Sequence, residues 1–456
     1  MFVWEIGFWI CVVLVLYPYA LYPLWLALLR RVCPRPVHRA SGVRLSVSFV
    51  VAAYNEEENI ETRLRELLEL LDRSGLTGEI LVVSDGSTDD TARIVRQVGG
   101  ANIHLLELSE RVGKAAALSY AAAHAHHDIL VFADVRQRWA PDALQRLLEN
   151  FADPSVGAVS GDLVVETAPG TLAGVGLYWQ YEKWLRRQES AIGSQVGVTG
   201  AIAACRRSCF RAIPDGTLLD DVYWPLQVAM QGYRVIHDSR AIAYDRLPPR
   251  PKDEFRRKVR TLAGNFQLAA RLPSALLPWR NPVWFAFVSH KLARLIVPWA
   301  LIGLLLCSWQ SEGWFYQFAL ILQLLGYTLG VISLLGWSSH RLVSAAGSFV
   351  LLNAAAWVAF WVYFSGRASS SWKKVPYKQN EEKPLSDPEI SWVSTLPTKL
   401  LATVGSPNTT TPIPPVLTCG HKAGDGVVNS VAGLPEVAKN PSEFLVEKTV
   451  WKFLEL

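Results

Sequence analysis

Residues 45–71 read LSVSFVVAAYNEEENIETRLRELLELL, and the change of period inside this stretch decides the fold class. Leu45 to Ala53 is almost continuously apolar, as a strand covered on both faces in a parallel sheet must be. The run breaks at Tyr54-Asn55-Glu56, after which Ile60, Leu64, Leu67, Leu68 and Leu71 recur at helical spacing. The alternation continues downstream: strand 79–84, helix 88–98, strand 103–108, an Ala-rich helix 114–126, strand 128–133, helix 141–151 and strand 157–165. Strands alternating with helices predict βαβ units, hence an α/β domain around a mostly parallel sheet.

In such open sheets ligands bind beyond the carboxyl ends of the strands. The first strand ends in Tyr54-Asn55-Glu56, the second in Ser84-Asp85-Gly86-Ser87 and the fourth in Ala133-Asp134. A single acid there is ordinarily a helix N-cap, but acids from three strands converging on one edge predict a site. Two nucleotide signatures are missing. No GxGxxG follows the first strand, and Gly113-Lys114 lacks both the upstream Gly of a phosphate loop and the Ser or Thr after the Lys. Dehydrogenase and ATPase readings are set aside on that ground.

Charge is distributed unevenly along the 456 residues, of which 19% are charged and 50% hydrophobic. Residues 1–29 hold only Glu5, and residues 295–366 hold only Glu312 and Arg341. Twelve of the eighteen tryptophans lie in or beside these two blocks, as interfacial aromatic belts do. A wholly soluble protein and a wholly membrane-embedded one are both excluded. From Ile6 to Leu29 there are 24 uncharged residues, enough to cross a hydrocarbon core about 30 Å thick. No basic segment precedes them, and the run is longer than the apolar core of a signal peptide. Arg30, Arg31, Arg35, Arg39 and Arg44 follow, so the positive-inside rule puts the next domain in the cytoplasm.

The expected organisation is an N-terminal transmembrane helix at 1–29, a basic linker at 30–44 and the α/β domain at 45–250. Amphipathic interface helices follow at 251–294, about three transmembrane segments at 295–366, and a polar, disordered tail at 367–456. The apolar stretch 295–309 is short for a span, and 279–294 reads as a helix lying in the interface. Three crossings put the C-terminus outside, whereas Arg367, Lys373, Lys374 and Lys378 argue for inside; a re-entrant first segment would reconcile the two. A net charge of +5 without an arginine stripe interleaved with aromatics excludes a nucleic-acid partner. The six cysteines form neither a disulfide framework nor a zinc spacing.

Several motifs then belong together: VVAAYNEEENI at 50–60, VVSDGSTDDTARIV at 82–95, RVGKAAAL at 111–118, FADVR at 132–136, VTGAIAACRR at 198–207, TLLDDVYWPLQVAMQGYRV at 217–235 and FRRKVRTLAGNF at 255–266. Over about residues 45–300 and the flanking spans the sequence resembles the family 2 glycosyltransferases with a GT-A fold. The branch it resembles is the membrane-integrated one, cellulose synthase-like and hyaluronan or chitin synthase-like. The resemblance implies that Tyr54 and Asp85 hold the nucleobase of a nucleotide-sugar donor, with Glu56 beside them and Lys114 near the donor. It implies that Asp134 is the first acid of a DxD motif that, with the sugar diphosphate, holds Mg²⁺ or Mn²⁺. Arg136 stands at the second acid's position, so two readings stay open: a metal held by Asp134, water and diphosphate, or a direct Arg136 contact to the diphosphate.

Gly200 and Ala201 match the small residues beneath the acceptor. Asp221 matches the general base, with Asp220 as the neighbour that can raise its pKa. Arg257 and Arg260 occupy the Gln and Arg positions of a QxxRW segment and could pair with the diphosphate; a basic face toward anionic lipid is compatible with that. Thr261 replaces the Trp, which leaves processive and single-addition chemistry both open. One base and no nucleophile imply inversion at the anomeric carbon. The expected enzyme moves a sugar from a UDP-sugar to a saccharide or lipid-linked acceptor at the cell membrane. Its further partners are the lipid bilayer and either envelope-assembly proteins or a second copy of the chain. The alternative is a retired enzyme that senses nucleotide sugar and scaffolds an envelope assembly.

Overall fold

A computed structural model of the protein describes residues 2–166, 173–246, 251–338 and 340–368. Eight strands, β1 (Val47–Ala53), β2 (Gly78–Asp85), β3 (Ile103–Leu108), β4 (Ile129–Ala133), β5 (Arg138–Trp139), β6 (Val156–Glu166), β7 (Ile202–Arg206) and β8 (Arg234–Arg246), form one sheet in the order β3-β2-β1-β4-β7-β6-β8-β5. The β3-β2-β1-β4 half is parallel, and β7 enters antiparallel between β4 and β6. Alternate residues of β1 explain its unbroken apolar run. Val47, Phe49 and Val51 pack with Ile60, Leu64 and Leu67 on one face of the sheet, while Val50 packs with Leu81, Leu118 and Trp224 on the other.

In chain order the helices are α1 (Phe2–Leu16), α2 (Tyr22–Val32), α3 (Ile60–Ser74), α4 (Thr91–Val98), α5 (Lys114–His124), α6 (Ala143–Glu149), α7 (Ala173–Ile192), α8 (Asp220–Met230), α9 (Pro251–Arg271), α10 (Trp284–Ala286), α11 (Ala293–Gln310), α12 (Trp314–Leu334) and α13 (Arg341–Phe364). A π-helical turn, Tyr17–Leu21, joins α1 to α2, and a second, Phe287–Leu292, joins α10 to α11.

Four helical stretches are long and apolar enough to cross a membrane: Phe2–Val32, Trp284–Gln310, Trp314–Leu334 and Arg341–Phe364. The second corrects the expectation of a 15-residue span preceded by a flat interface helix. The π turn carries the helix on, so the run from Trp284 to Gln310 is 27 residues long. Arg294, expected at a lipid interface, is buried. The last helix, α13, packs along α9 through Ala355 and Ala359 against Val259 and Ala263, and the Tyr363 ring stacks on Phe266 at 5.8 Å. Beyond residue 368 the expected tail lies outside the described residues.

Candidate active site

Two loops at the carboxyl edge of the sheet are tied into one unit. Asn55, which leaves β1 with a positive φ of 53°, accepts from the Thr88 N–H through Oδ1 at 2.9 Å, while its own N–H donates to Ser87 Oγ at 3.2 Å. Asn tolerates the left-handed region better than most residues, which explains why the turn falls there. The Glu56 N–H donates to Thr91 Oγ1 at 2.8 Å, and the Glu56 carboxylate accepts from Asn59 Nδ2 at 3.3 Å. In this arrangement Glu56 fastens the loop.

Asp85 is buried and accepts from the Val112 N–H at 2.7 Å and the Gly113 N–H at 3.0 Å. Its carboxylate thereby orders the turn from which α5 starts with Lys114. Gly86 makes that possible: a Cβ there would lie 2.6 Å from the Arg111 nitrogen, and its φ is +63°. The same turn carries the Arg111 guanidinium to 4.0 Å above the centre of the Tyr54 ring. Sequence reasoning passed over Arg111, although it sits three residues before Lys114.

Lys114 Nζ donates to Asp134 Oδ1 at 2.7 Å and lies 4.0 Å from Asp220 Oδ2. Burial disfavours its ammonium, but Asp134 and Asp220 outweigh that and hold its pKa above the ordinary value. Gly200 faces the same space, since a Cβ there would lie 3.5 Å from Lys114 Nζ and 3.6 Å from Asp221 Cβ. The cleft floor is Phe132, Ala133, Val198 and Trp224. Ala201 does not join it: its side chain is in the core, and its carbonyl accepts from Trp139 Nε1 at 3.1 Å.

Asp220 and Asp221 open α8, where the unpaired amides of a helix start favour negative charge. Pro225, four residues after Asp221, has no N–H, so the intrahelical bond that would end on the Asp221 carbonyl cannot form. That carbonyl accepts instead from the Val198 N–H at 2.8 Å, which fastens the acid pair to the segment leading into Gly200. Burial, reinforced by Asp220, pushes the Asp221 carboxyl up to about 6; Lys114, Arg186 and Lys291 pull it the other way.

The helix α9 clasps the lead-in to the acid pair. Leu218 N–H donates to Gln267 Oε1 at 2.8 Å, and Arg271 Nη1 donates to Thr217 Oγ1 at 2.8 Å. Of the two arginines expected at the diphosphate, Arg257 bonds Glu254 of its own helix, through Nε at 2.8 Å. Arg260 lies one turn further along α9.

Asp134 does not make a cation cage. One of its oxygens already accepts from Lys114, Arg136 stands two residues on, and among the described residues no group of three or more His, Cys, Asp or Glu could hold a metal ion. The protein's own donors therefore do not fit a resident Mg²⁺ or Mn²⁺.

A model of the glycosyl transferase family 2 domain matches residues 48–213, and a model of glycosyl transferase family group 2 matches residues 134–335. Together they cover the sheet, the Lys114–Asp134 pair and the acid pair of α8. The chain carries a family 2 glycosyltransferase domain. Among curated proteins, the poly-beta-1,6-N-acetyl-D-glucosamine synthase of Staphylococcus aureus (strain COL) is 25% identical to it over 267 residues, 57% of this chain and 63% of that one. Its namesake from Staphylococcus epidermidis is 22% identical over 232 residues, 49% of this chain and 56% of that one. The chain thus spans less than two thirds of the curated relatives it matches. The mannosyltransferase PcManGT from Pyrobaculum calidifontis, solved in complex with GDP-Man and Mn²⁺, has the same fold. Its TM-score is 0.59 at 23% identity, over 79% of this chain and 99% of that one. The family 2 domain here therefore adopts the GT-A fold.

Proposed function

We propose that the protein is a membrane-bound inverting glycosyltransferase that moves a sugar from a UDP-sugar to a saccharide or lipid-linked acceptor in envelope polysaccharide synthesis. The observation that carries this reading is that Gly200 faces both Lys114 Nζ and Asp221, at 3.5 and 3.6 Å from a Cβ placed there, with Asp134 and Asp220 beside that lysine. An acceptor hydroxyl at Asp221 gives its proton to the carboxylate as its oxygen attacks the anomeric carbon. The bond from that carbon to the diphosphate breaks, and the nucleoside diphosphate leaves with the electron pair. Lys114 is placed to offset the charge that develops on the departing phosphate. No side chain forms a covalent intermediate, so an α-linked donor yields a β-glycoside.

Tyr54, with the Arg111 guanidinium over its ring, is the aromatic we assign to the nucleobase. Asp85 keeps lone pairs for a base N–H beyond those given to Val112 and Gly113. Arg260 is the α9 arginine we assign to the donor diphosphate. Asp134 is the carboxylate we assign to a Mg²⁺ or Mn²⁺ arriving with the donor, and no step above depends on such an ion. The names of the staphylococcal relatives make UDP-N-acetylglucosamine the first donor to test.

We place the catalytic domain in the cytoplasm of a multi-pass membrane protein, following the arginines after the first span. The stacking of Tyr363 on Phe266 supports putting the C-terminal end of α13 on that same side, in keeping with Arg367 and the lysines after it. The test is UDP release from a panel of UDP-sugars by purified protein in lipid, with and without acceptor. Release that requires a sugar donor and disappears in Asp221→Asn supports the reading. Silence across the panel favours the retired scaffold.

A further inference from the structure

Three packed side chains close a ring that the transfer chemistry above does not use. Arg63 of α3 is 2% exposed, and its guanidinium carbon lies 5.0 Å above the Trp139 ring. Its Nη1 donates to Glu66 Oε2 at 2.6 Å, and the other oxygen of that carboxylate accepts from the Trp139 N–H, also at 2.6 Å. Trp139 in turn donates through Nε1 to the Ala201 carbonyl at 3.1 Å.

Stability alone does not call for this ring. Arg63 is buried with both Nε and Nη2 lacking a hydrogen bond, and burial draws its pKa below the ordinary value although Glu66 and Asp134 act against that. Apolar side chains of similar volume often replace a buried ion pair at no loss of stability. What the ring does is fix a place. Trp139 stands on β5, five residues after Asp134, and its two N–H groups are taken by different elements. The backbone one is held by α3, and the indole one by the turn that carries Gly200. That turn is closed by the Ile202 N–H on the Thr199 carbonyl at 3.0 Å, and within it Gly200 faces both Lys114 and Asp221.

We infer that Arg63, Glu66 and Trp139 are positioning residues for the transfer: their ring ties the segment that follows Asp134 to the Thr199–Ile202 turn, and so sets how the donor side of the cleft, at Lys114 and Asp134, stands to the base Asp221. The inference rests on the glycosyltransferase reading and adds to it residues that act through Asp134 and Gly200 rather than on substrate. A reacting group misplaced by a fraction of its contact distance is enough to slow such a step.

The test combines steady-state kinetics, thermal unfolding and hydrogen exchange on the full chain in lipid nanodiscs. Trp139→Phe keeps an aromatic ring and removes the indole N–H. It should lower kcat by about tenfold with donor KM and UDP affinity unchanged, and should quicken amide exchange over residues 198–203. The double variant Arg63→Met with Glu66→Gln removes the ion pair but keeps an oxygen for the Trp139 N–H. Its Tm should hold or rise while kcat falls likewise, a split that a purely structural ring would not produce. An intact kcat in either protein, whatever its Tm, overturns the inference, and so does a kcat that falls only in step with donor affinity. Unchanged exchange over 198–203 in Trp139→Phe overturns it on its own, because the turn is then not held by the indole. If the unmodified chain releases no UDP from any UDP-sugar while the variant still exchanges faster, the transfer reading fails and the ring's hold on the turn stands.

Discussion

The carbonyl of Asp221 accepts its hydrogen bond from Val198, outside its own helix, because Pro225 leaves the intrahelical place empty. A proline inside a helix costs about 3 kcal/mol, so its presence here exchanges helix stability for a fixed position of the base. Pro225→Ala restores an N–H that competes for the Asp221 carbonyl. Thermal unfolding should move up while kcat falls by about tenfold, the penalty for slight misplacement of a reacting group. If Tm and kcat rise together, the tether has no catalytic role.

Asp221→Asn should remove transfer and leave UDP binding intact, read by calorimetry on the same preparation. In the unmodified protein the acidic limb of the kcat/KM profile should lie near the pair's apparent value of about 6. The sign follows from the base needing to be ionised: activity is lost as pH falls through that value and is complete above it. Asp220→Asn removes the neighbouring charge that helps raise Asp221, so the limb should move to lower pH. A limb that stays fixed separates the two acids.

Lys114→Gln should reduce kcat/KM for the donor by about 100-fold, the scale on which one preorganised donor to a developing charge acts. Lys114→Arg should recover part of it. The proposal predicts further that UDP product binds more weakly in Lys114→Gln, since the same ammonium meets the diphosphate after cleavage.

Manganese should bind the nucleotide-free protein weakly, because Asp134 is shared with Lys114 and Arg136 adds a positive charge. Arg136→Asp supplies a second carboxylate and should tighten Mn²⁺ binding by at least about tenfold, read by electron paramagnetic resonance of the free ion. Equal affinity in both proteins would show that residue 136 faces away from the donor.

The parallel half of the sheet is readable from the sequence because burial on both faces writes an unbroken apolar run, as in Val47–Ala53, and the strand ends then locate the cleft; β8 and the antiparallel entry of β7 are not. Asp85 and Asp134 stand out as acids at those ends, whereas Asp220 and Asp221, which open α8, are reached only through the resemblance. The partner that organises them is harder to read. Arg111 reaches Tyr54 only because Asp85 pins the turn between them, a contact across more than fifty residues that no local pattern encodes. Ala201 matches the small residues beneath the acceptor, yet it lies in a turn closed by the Ile202 N–H on the Thr199 carbonyl at 3.0 Å, and its methyl packs in the core. Arg257 was aligned with a donor contact, and its own helix claims it first through Glu254. The second span is hard to read because His290, Lys291 and Arg294 interrupt its hydropathy, while in the structure His290 and Arg294 are drawn inward by Glu182 and Glu189 of α7.

That inward turn has a consequence for anyone dissecting the molecule. Glu182 and Glu189 belong to the catalytic half, but the groups that satisfy them, Tyr22, His290 and Arg294, all come from the apolar helices. Cutting the chain at the bilayer surface would strand two buried carboxylates, at about 3–5 kcal/mol for each broken pair. The border between water-soluble and lipid-soluble sequence is therefore not a border between folding units, and the catalytic half should be recovered active only with its membrane helices attached.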